Sequence, residues 1–235
     1  YRFGFTGTLD GSKTHKWVLE GLFGECERVT KTDDLIKEGY LSKFRIKVLL
    51  CKHAPQHFES YHDEMEYLVE HKGRNNLIKN LVNDLKGNTL VLFNYVEKHG
   101  EPLYELINST IDPERKLFFV HGGTDVEDRE EVRQITETES NAIIVASYGT
   151  FSTGINIKRL HNIVFASPSK SRIRNLQSIG RVLRKGEGKD IATLYDIADD
   201  IGGQNYTLKH LNERVNIYND ENFKYEVIKV NLRAS

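Results

Sequence analysis

The sequence predicts an α/β fold: a parallel β-sheet flanked by helices. Three observations carry this expectation. From Asn88 onward, short apolar runs alternate with stretches of helical periodicity, the signature of a parallel sheet wrapped by helices. The runs are almost continuous in apolar residues, as strands buried on both faces are. Asp112-Pro113 and Gly122-Gly123 fall between runs, where turn residues belong.

The strands expected in this part are "TLVLFNY" (89–95), "KLFFVHG" (116–122), "AIIVASY" (142–148), "NIVFAS" (162–167) and "ATLYDI" (192–197). Helices are expected over 75–86, 97–110, 127–139, 173–185 and 205–221. In the last of these, Leu208, Leu211, Val215 and Tyr218 form one apolar stripe. "FKYEVIKVNL" then reads as a final strand whose apolar phase slips by one residue, which predicts a bulge or twist. The first 85 residues read differently. "RFGFTGTLDG" predicts a strand running into a tight loop, followed by a helix with Trp17, Leu19 and Leu22, a polar connector around "TKTDDLIKEG", and a strand "RIKVLLC" (45–51). A charged helical insert near 57–76 should pack through Tyr61, Met65, Leu68 and Val69.

A chain of 235 residues, 38% hydrophobic and 29% charged, has the composition of a soluble globular protein with a real core. It has no apolar run long enough to span a bilayer, and "YRFGFTGTLDGS" lacks the features of a signal peptide. A cytoplasmic setting is expected. Cys26 and Cys51 make neither a disulfide framework nor a zinc motif. His53 and His57 have i, i+4 spacing, but Pro55 breaks the helix that would align them, so no metal site is expected. The net charge is only −1, yet it is unevenly distributed. Between Ile155 and Asp190 nine basic residues face two acidic ones, and between Asp125 and Glu139 seven acids face two arginines. A local positive face of this kind can bind a polyanion, with an affinity that falls as salt rises.

"QSIGRVLRK" (177–185) places Gln177, Arg181 and Arg184 at i, i+4 and i+7, one narrow stripe of a helix, beside the apolar stripe of Ile173, Leu176, Ile179 and Leu183. Gly180 joins the apolar side, where it permits close backbone approach. Solvated charges on a surface helix would give the same spacing. "DEME" (63–66) reads as a solvated helix face. The phosphate-cradling pattern G-x-x-x-x-G-K-[ST] occurs nowhere in the sequence; "GTFSTGIN" has the two glycines but Ile155-Asn156 in place of lysine and hydroxyl.

Taken together, the motifs are more specific. "QSIGRVLRK" resembles motif VI of superfamily 2 helicases and translocases. "IIVASYGTFSTGINIKRLHNIVFASPSKSRIRNLQ" is similar to motif V with its following strand and basic approach, "NTLVLFNYVEKHG" to motif IV, "FFVHGGT" to the phosphate-contact motif after it, and "GFTGTL" stands where motif III would. The order and spacing lie nearest the branch that contains the XPB-like repair helicases and phage recombination helicases.

This resemblance implies two RecA-like lobes. Residues 1–11 would be a remnant of the first, 12–44 an interlobe connector, and 45–235 the second lobe. Arg184 would be the arginine finger and Arg181 its partner in stabilising the charge of phosphoryl transfer. Gln177, Gly154, Asn156, Thr6 and Thr8 would couple to nucleotide. Asn94, Tyr95, His121, Gly122, Gly123, Thr124, Ser147 and Thr150 would contact the DNA backbone. Tyr148 and Phe151 could stack on a base or pack in the core. ATP and Mg²⁺ would be held mainly by a first lobe that this sequence lacks, so the chain alone should not hydrolyse ATP. The partner would be branched or forked DNA, with an RNA duplex or RNA–DNA hybrid as the alternative, and the setting the host cytoplasm if the protein is phage-encoded. A related repair or restriction translocase and a non-catalytic nucleic-acid-binding module are the competing readings.

Overall fold

The computed structural model describes residues 2–5, 13–27, 30–153, 157, 159–169, 171–186 and 189–232, without the side chains of residues 13, 152, 153, 172–174 and 181. Among the described residues, seven strands form one sheet in the order β3-β4-β2-β5-β6-β1-β7. They are β1 (Lys43–Lys52), β2 (Thr89–Phe93), β3 (Leu117–Val120), β4 (Ile143–Ser147), β5 (Asn162–Phe165), β6 (Ile191–Asp200) and β7 (Tyr225–Asn231). All pairings are parallel. The predicted fold class is therefore the observed one, and each expected strand after Asn88 is present with its ends trimmed or extended by a few residues.

The helices are α1 (Lys13–Phe23), α2 (Thr32–Lys37), α3 (Tyr61–Glu70), α4 (Lys72–Asp84), α5 (Glu101–Asn108), α6 (Val126–Thr138), α7 (Tyr148–Thr153), α8 (Arg172–Val182) and α9 (Tyr206–Asp220). A π-helical turn, Val96–Gly100, leads into α5. There Gly100 lies against Phe93 so closely that a Cβ would sit 2.5 Å from ring carbons, so only glycine lets the turn approach β2.

The alternation of side chains along each strand sorts the core into two layers. Leu90, Leu92, Ile144, Ala146, Ile163 and Phe165 pack on one face with Ile179, Val182 and Leu183 of and after α8 and with Leu211 and Tyr218 of α9. Val91, Phe93, Ile143, Val145 and Val164 pack on the other with Ile78 and Val82 of α4 and Leu103 and Ile107 of α5. Strands β2, β4 and β5 are buried along their whole length, which is why their sequences are continuously apolar. Tyr148 and Phe151 belong to the core, at 2% and 1% exposed, and not to a stacking surface.

Five expectations are corrected. Residues 2–5 are not a strand. The 57–76 insert is helical over α3 and the first turn of α4, but of its four packing residues only Met65, Leu68 and Val69 are buried, whereas Tyr61 is exposed. The final strand has no bulge: Tyr225–Asn231 pairs one-to-one with Ile46–Lys52. Because β7 is an edge strand exposed along nearly all its length, neither apolar phase is held by burial, and the slip in pattern needs no slip in register. "DEME" is not uniformly solvated, because Glu64 is fully buried. Its carboxylate accepts from the backbone N–H groups of Tyr206 and Thr207, both at 2.7 Å, and so caps the amino end of α9, where unpaired N–H groups and the helix dipole favour an anion. Gly180 faces open space and not the apolar stripe.

Candidate functional site

In a parallel sheet the loops leaving the carboxyl ends of the strands form a common surface. The structure brings the predicted DNA-contact residues together there. Asn94 and Tyr95 follow β2, His121 to Thr124 follow β3, and Ser147 ends β4, and these three strands are neighbours. The pairing of Phe93 with Ser147 fixes the register of the first and third groups.

Each loop is shaped by its own hydrogen bonds. Thr124 Oγ1 accepts from the backbone N–H of His121 at 3.0 Å, and Nδ1 of His121 accepts from that of Gly123 at 3.1 Å. This tight turn leaves Gly122 and Gly123 exposed. Ser147 Oγ accepts from the backbone N–H of Thr150 at 3.3 Å and lies 2.8 Å from its hydroxyl. Both side chains are largely buried, so they shape the first turn of α7 more than they present hydroxyls to a ligand.

The loop from β5 to α8 is held from several directions. Ser167 Oγ accepts from the backbone N–H of Asn94 at 3.2 Å and lies 2.9 Å from Nδ1 of His99. Tyr148 donates its hydroxyl to the Ser167 carbonyl at 3.2 Å. The Ser169 carbonyl accepts from Nδ2 of Asn175 at 3.1 Å and from Nη1 of Arg214 at 3.2 Å. His99 is fully buried, and that burial, reinforced by the nearby Arg74 charge, pushes its imidazole down to about 3, so it is neutral.

Helix α8 runs from this loop to the opposite edge of the sheet, over about 16 Å for its eleven residues. There the expectation for Arg184 is corrected. The helix ends at Val182 and not near 185, so Arg184 does not share a helical stripe with Gln177 and Arg181. It instead forms an antiparallel bridge with Leu41, two residues ahead of β1. The terminal carbonyls are taken by outside donors, which stops the helix from continuing. Leu183 O accepts from the backbone N–H of Ser42 at 2.9 Å, and Lys189 Nζ donates to Val182 O and, at 2.7 Å, to Arg184 O. The Arg184 and Gln177 side chains are exposed. Arg181 lies in α8 but its side chain is outside the description, and Gly154, Asn156, Thr6 and Thr8 lie outside the described residues. The structure thus separates the two sets: DNA-contact candidates at the carboxyl edge of the sheet, Arg184 at the amino edge.

The basic stretch is partly consumed internally. Lys189 is 5% exposed, and Arg159 donates to the Glu137 carbonyl at the end of α6 at 3.2 Å. Among the described residues of that stretch, Arg184 and Lys185 are the exposed cations.

Sequence reasoning did not find the buried charges. Arg214 and Asp196, both fully buried, meet through two nitrogens at 2.8 Å, and Tyr218 donates its hydroxyl to Asp196 at 2.8 Å. Arg74 Nε donates to both oxygens of Asp199, at 2.9 and 3.1 Å, and His53 Nε2 lies 2.9 Å from the same carboxylate. Burial alone would raise Asp199, but Arg74 and His53 outweigh it and hold the acid down to about 2. His53 is therefore part of this cluster, whereas His57 is exposed. Cys51, buried beneath, has its thiol pushed up to about 12 by desolvation. The one signal for these residues was acids inside the apolar "ATLYDIADD", which must find partners if buried.

Comparison with known proteins agrees with this architecture. The helicase conserved C-terminal domain matches residues 73–186. The chain is 35% identical over 254 aligned residues to the ATP-dependent DNA helicase UvsW of enterobacteria phage T4, covering 99% of this chain and 50% of that protein. It therefore spans about half the length of the curated relative it matches. The crystal structure of T4 UvsW matches with a TM-score of 0.68 at 34% identity, over 94% of this chain and 46% of that one. The ATP-dependent restriction-modification enzyme LlaBIII bound to DNA matches with a TM-score of 0.62 over 92% of this chain and 17% of that one, and at 18% identity this shows the fold alone. No described helix is long and apolar enough to cross a membrane. The chain carries the helicase conserved C-terminal domain, and its fold is that of the C-terminal RecA-like lobe of superfamily 2 helicases.

Proposed function

We propose that this lobe is the C-terminal part of an ATP-dependent DNA helicase or translocase acting on branched replication and recombination intermediates. Residues 45–235 form the second lobe, 12–44 the connector and 1–11 a piece of the first lobe. The observation that carries the reading is the position of α8. Its entry loop is gripped by Asn94 and His99 at the DNA edge, and its far end is tied to the connector at Leu41 and Ser42. A rigid helix between the two can pass a change at one edge to the other.

Arg184 is the arginine finger in this proposal. Guanidinium suits the task because its charge is permanent and its planar fork meets two phosphate oxygens. The exposed guanidinium of Arg184 at this edge fits a phosphate, and Gln177, exposed at the middle of α8, stands about one and a half turns back along the helix. In this reading Mg²⁺ and the phosphate cradle belong mainly to the other lobe. Asn94, Tyr95, His121, Gly122, Gly123 and Thr124 supply the backbone-directed DNA contacts, which carry little base information. Ser147 and Thr150 position them. For a phage-encoded protein the work takes place in the host cytoplasm.

The test is Arg184→Ala in the full-length protein. ATP should still bind, and DNA-stimulated hydrolysis should fall by about 10³-fold or more. Unchanged turnover removes the finger assignment. Unwinding measured on forked DNA, four-way DNA and RNA duplexes decides the substrate: a preference for the RNA duplex overturns the branched-DNA reading.

A further inference from the structure

Two of the carbonyls at the end of α8, those of Val182 and Arg184, accept from a single buried cation. Lys189 lies just before β6, only 5% of it is exposed, and its Nζ donates to the carbonyls of both Val182 and Arg184. Its own backbone is fixed: its N–H donates to Gly186 O at 3.2 Å, and the adjoining Asp190 carbonyl accepts from the N–H of Lys43 at 3.2 Å, at the start of β1. The ammonium therefore ties the backbone of Arg184 to the sheet, while the Leu41 bridge and Ser42 hold the same segment from the other side. Burying a lysine head costs free energy because the charge leaves water, and here that burial lowers its pKa to about 8. A surface lysine could cap a helix end without that cost.

We propose that Lys189 is a positioning residue for Arg184: it sets the direction in which the arginine leaves the end of α8. The proposal rests on the reading of Arg184 as the finger. It accounts for why a cation is buried at this helix end, since two anchors, one on the sheet and one on the connector, define the finger's backbone more tightly than either alone.

The test is a double-mutant cycle in the full-length protein, with Lys189→Met, Arg184→Ala and the pair, read as kcat and KM for ATP in the presence of DNA. Lys189→Met should lower kcat by about 10- to 100-fold, the scale of a misplaced catalytic group, with KM for ATP changed by less than about twofold. In the Arg184→Ala background it should lower kcat by less than about twofold further, because residues acting as a unit are not additive. Lys189→Gln, which keeps a shorter donor, should fall between wild type and Lys189→Met, and it replaces Lys189→Met in the cycle if that variant melts below the assay temperature. A full additive loss in the Arg184→Ala background means that Lys189 supports the fold without aiming the arginine, and overturns the proposal. If Arg184→Ala itself is silent, the finger reading has failed first, and the two failures are distinguishable.

Discussion

The backbone N–H of Asn94 and the hydroxyl of Ser167 meet at 3.2 Å, so the loop leaving β2 and the loop entering α8 share one oxygen. Removing that oxygen in Ser167→Ala should separate DNA binding from its effect on hydrolysis. DNA affinity should stay within about threefold, and the DNA-stimulated part of ATP turnover should fall by about tenfold. Fluorescence anisotropy and steady-state ATPase assays check this. Equal losses in both would show that Ser167 serves the DNA site alone.

Arg214 and Asp196 are both fully buried and joined through two nitrogens. Arg214→Met leaves an uncompensated carboxylate and should cost about 3–5 kcal/mol in urea unfolding. The paired change with Asp196→Leu should recover part of that loss. Because Arg214 also holds the Ser169 carbonyl, the double variant should remain short of wild-type activity even when its stability returns.

Acid should weaken the fold through His99. Its folded pKa of about 3 lies below the ordinary 6.5, so below pH 6.5 the unfolded chain takes up a proton that the folded one refuses. Stability attributable to this group is therefore lost as pH falls, by about 1.4 kcal/mol per unit, until the folded pKa is reached. Urea titrations at pH 7, 6 and 5 should show this slope, and His99→Gln should flatten it. Burial also lowers His71 and His161, so the variant keeps part of the slope. An identical slope would place the titrating group elsewhere.

The central strands were legible because burial on both faces leaves no alternative to apolar residues. Strand β7 was misread because burial does not police its pattern at the sheet edge. The end of α8 was not legible, since what stops it comes from Ser42, far earlier in the chain, and from Lys189 beyond the helix. Glu64 was invisible for the same reason: the N–H it accepts from lies 143 residues away at Thr207, and local periodicity sees only its own helix. The motif residues were found through order and spacing, but whether a hydroxyl faces a ligand or its own backbone, as at Ser147, depends on loop geometry.

Strand β1 lies between β6 and β7, and its first strong partner stands 148 residues later, as Lys52 and Asp200 show. At about 5–20 residues per second, a ribosome needs roughly 7–30 s to deliver that partner. For that interval an apolar strand, with Val48, Leu49 and Leu50 at its centre, has neither of its neighbours. The lobe can nucleate from β2 to β5, but it closes only when β6 arrives. Synthesis of this lobe therefore has a built-in window of vulnerability to misassembly, and its length is set by the position of a single strand.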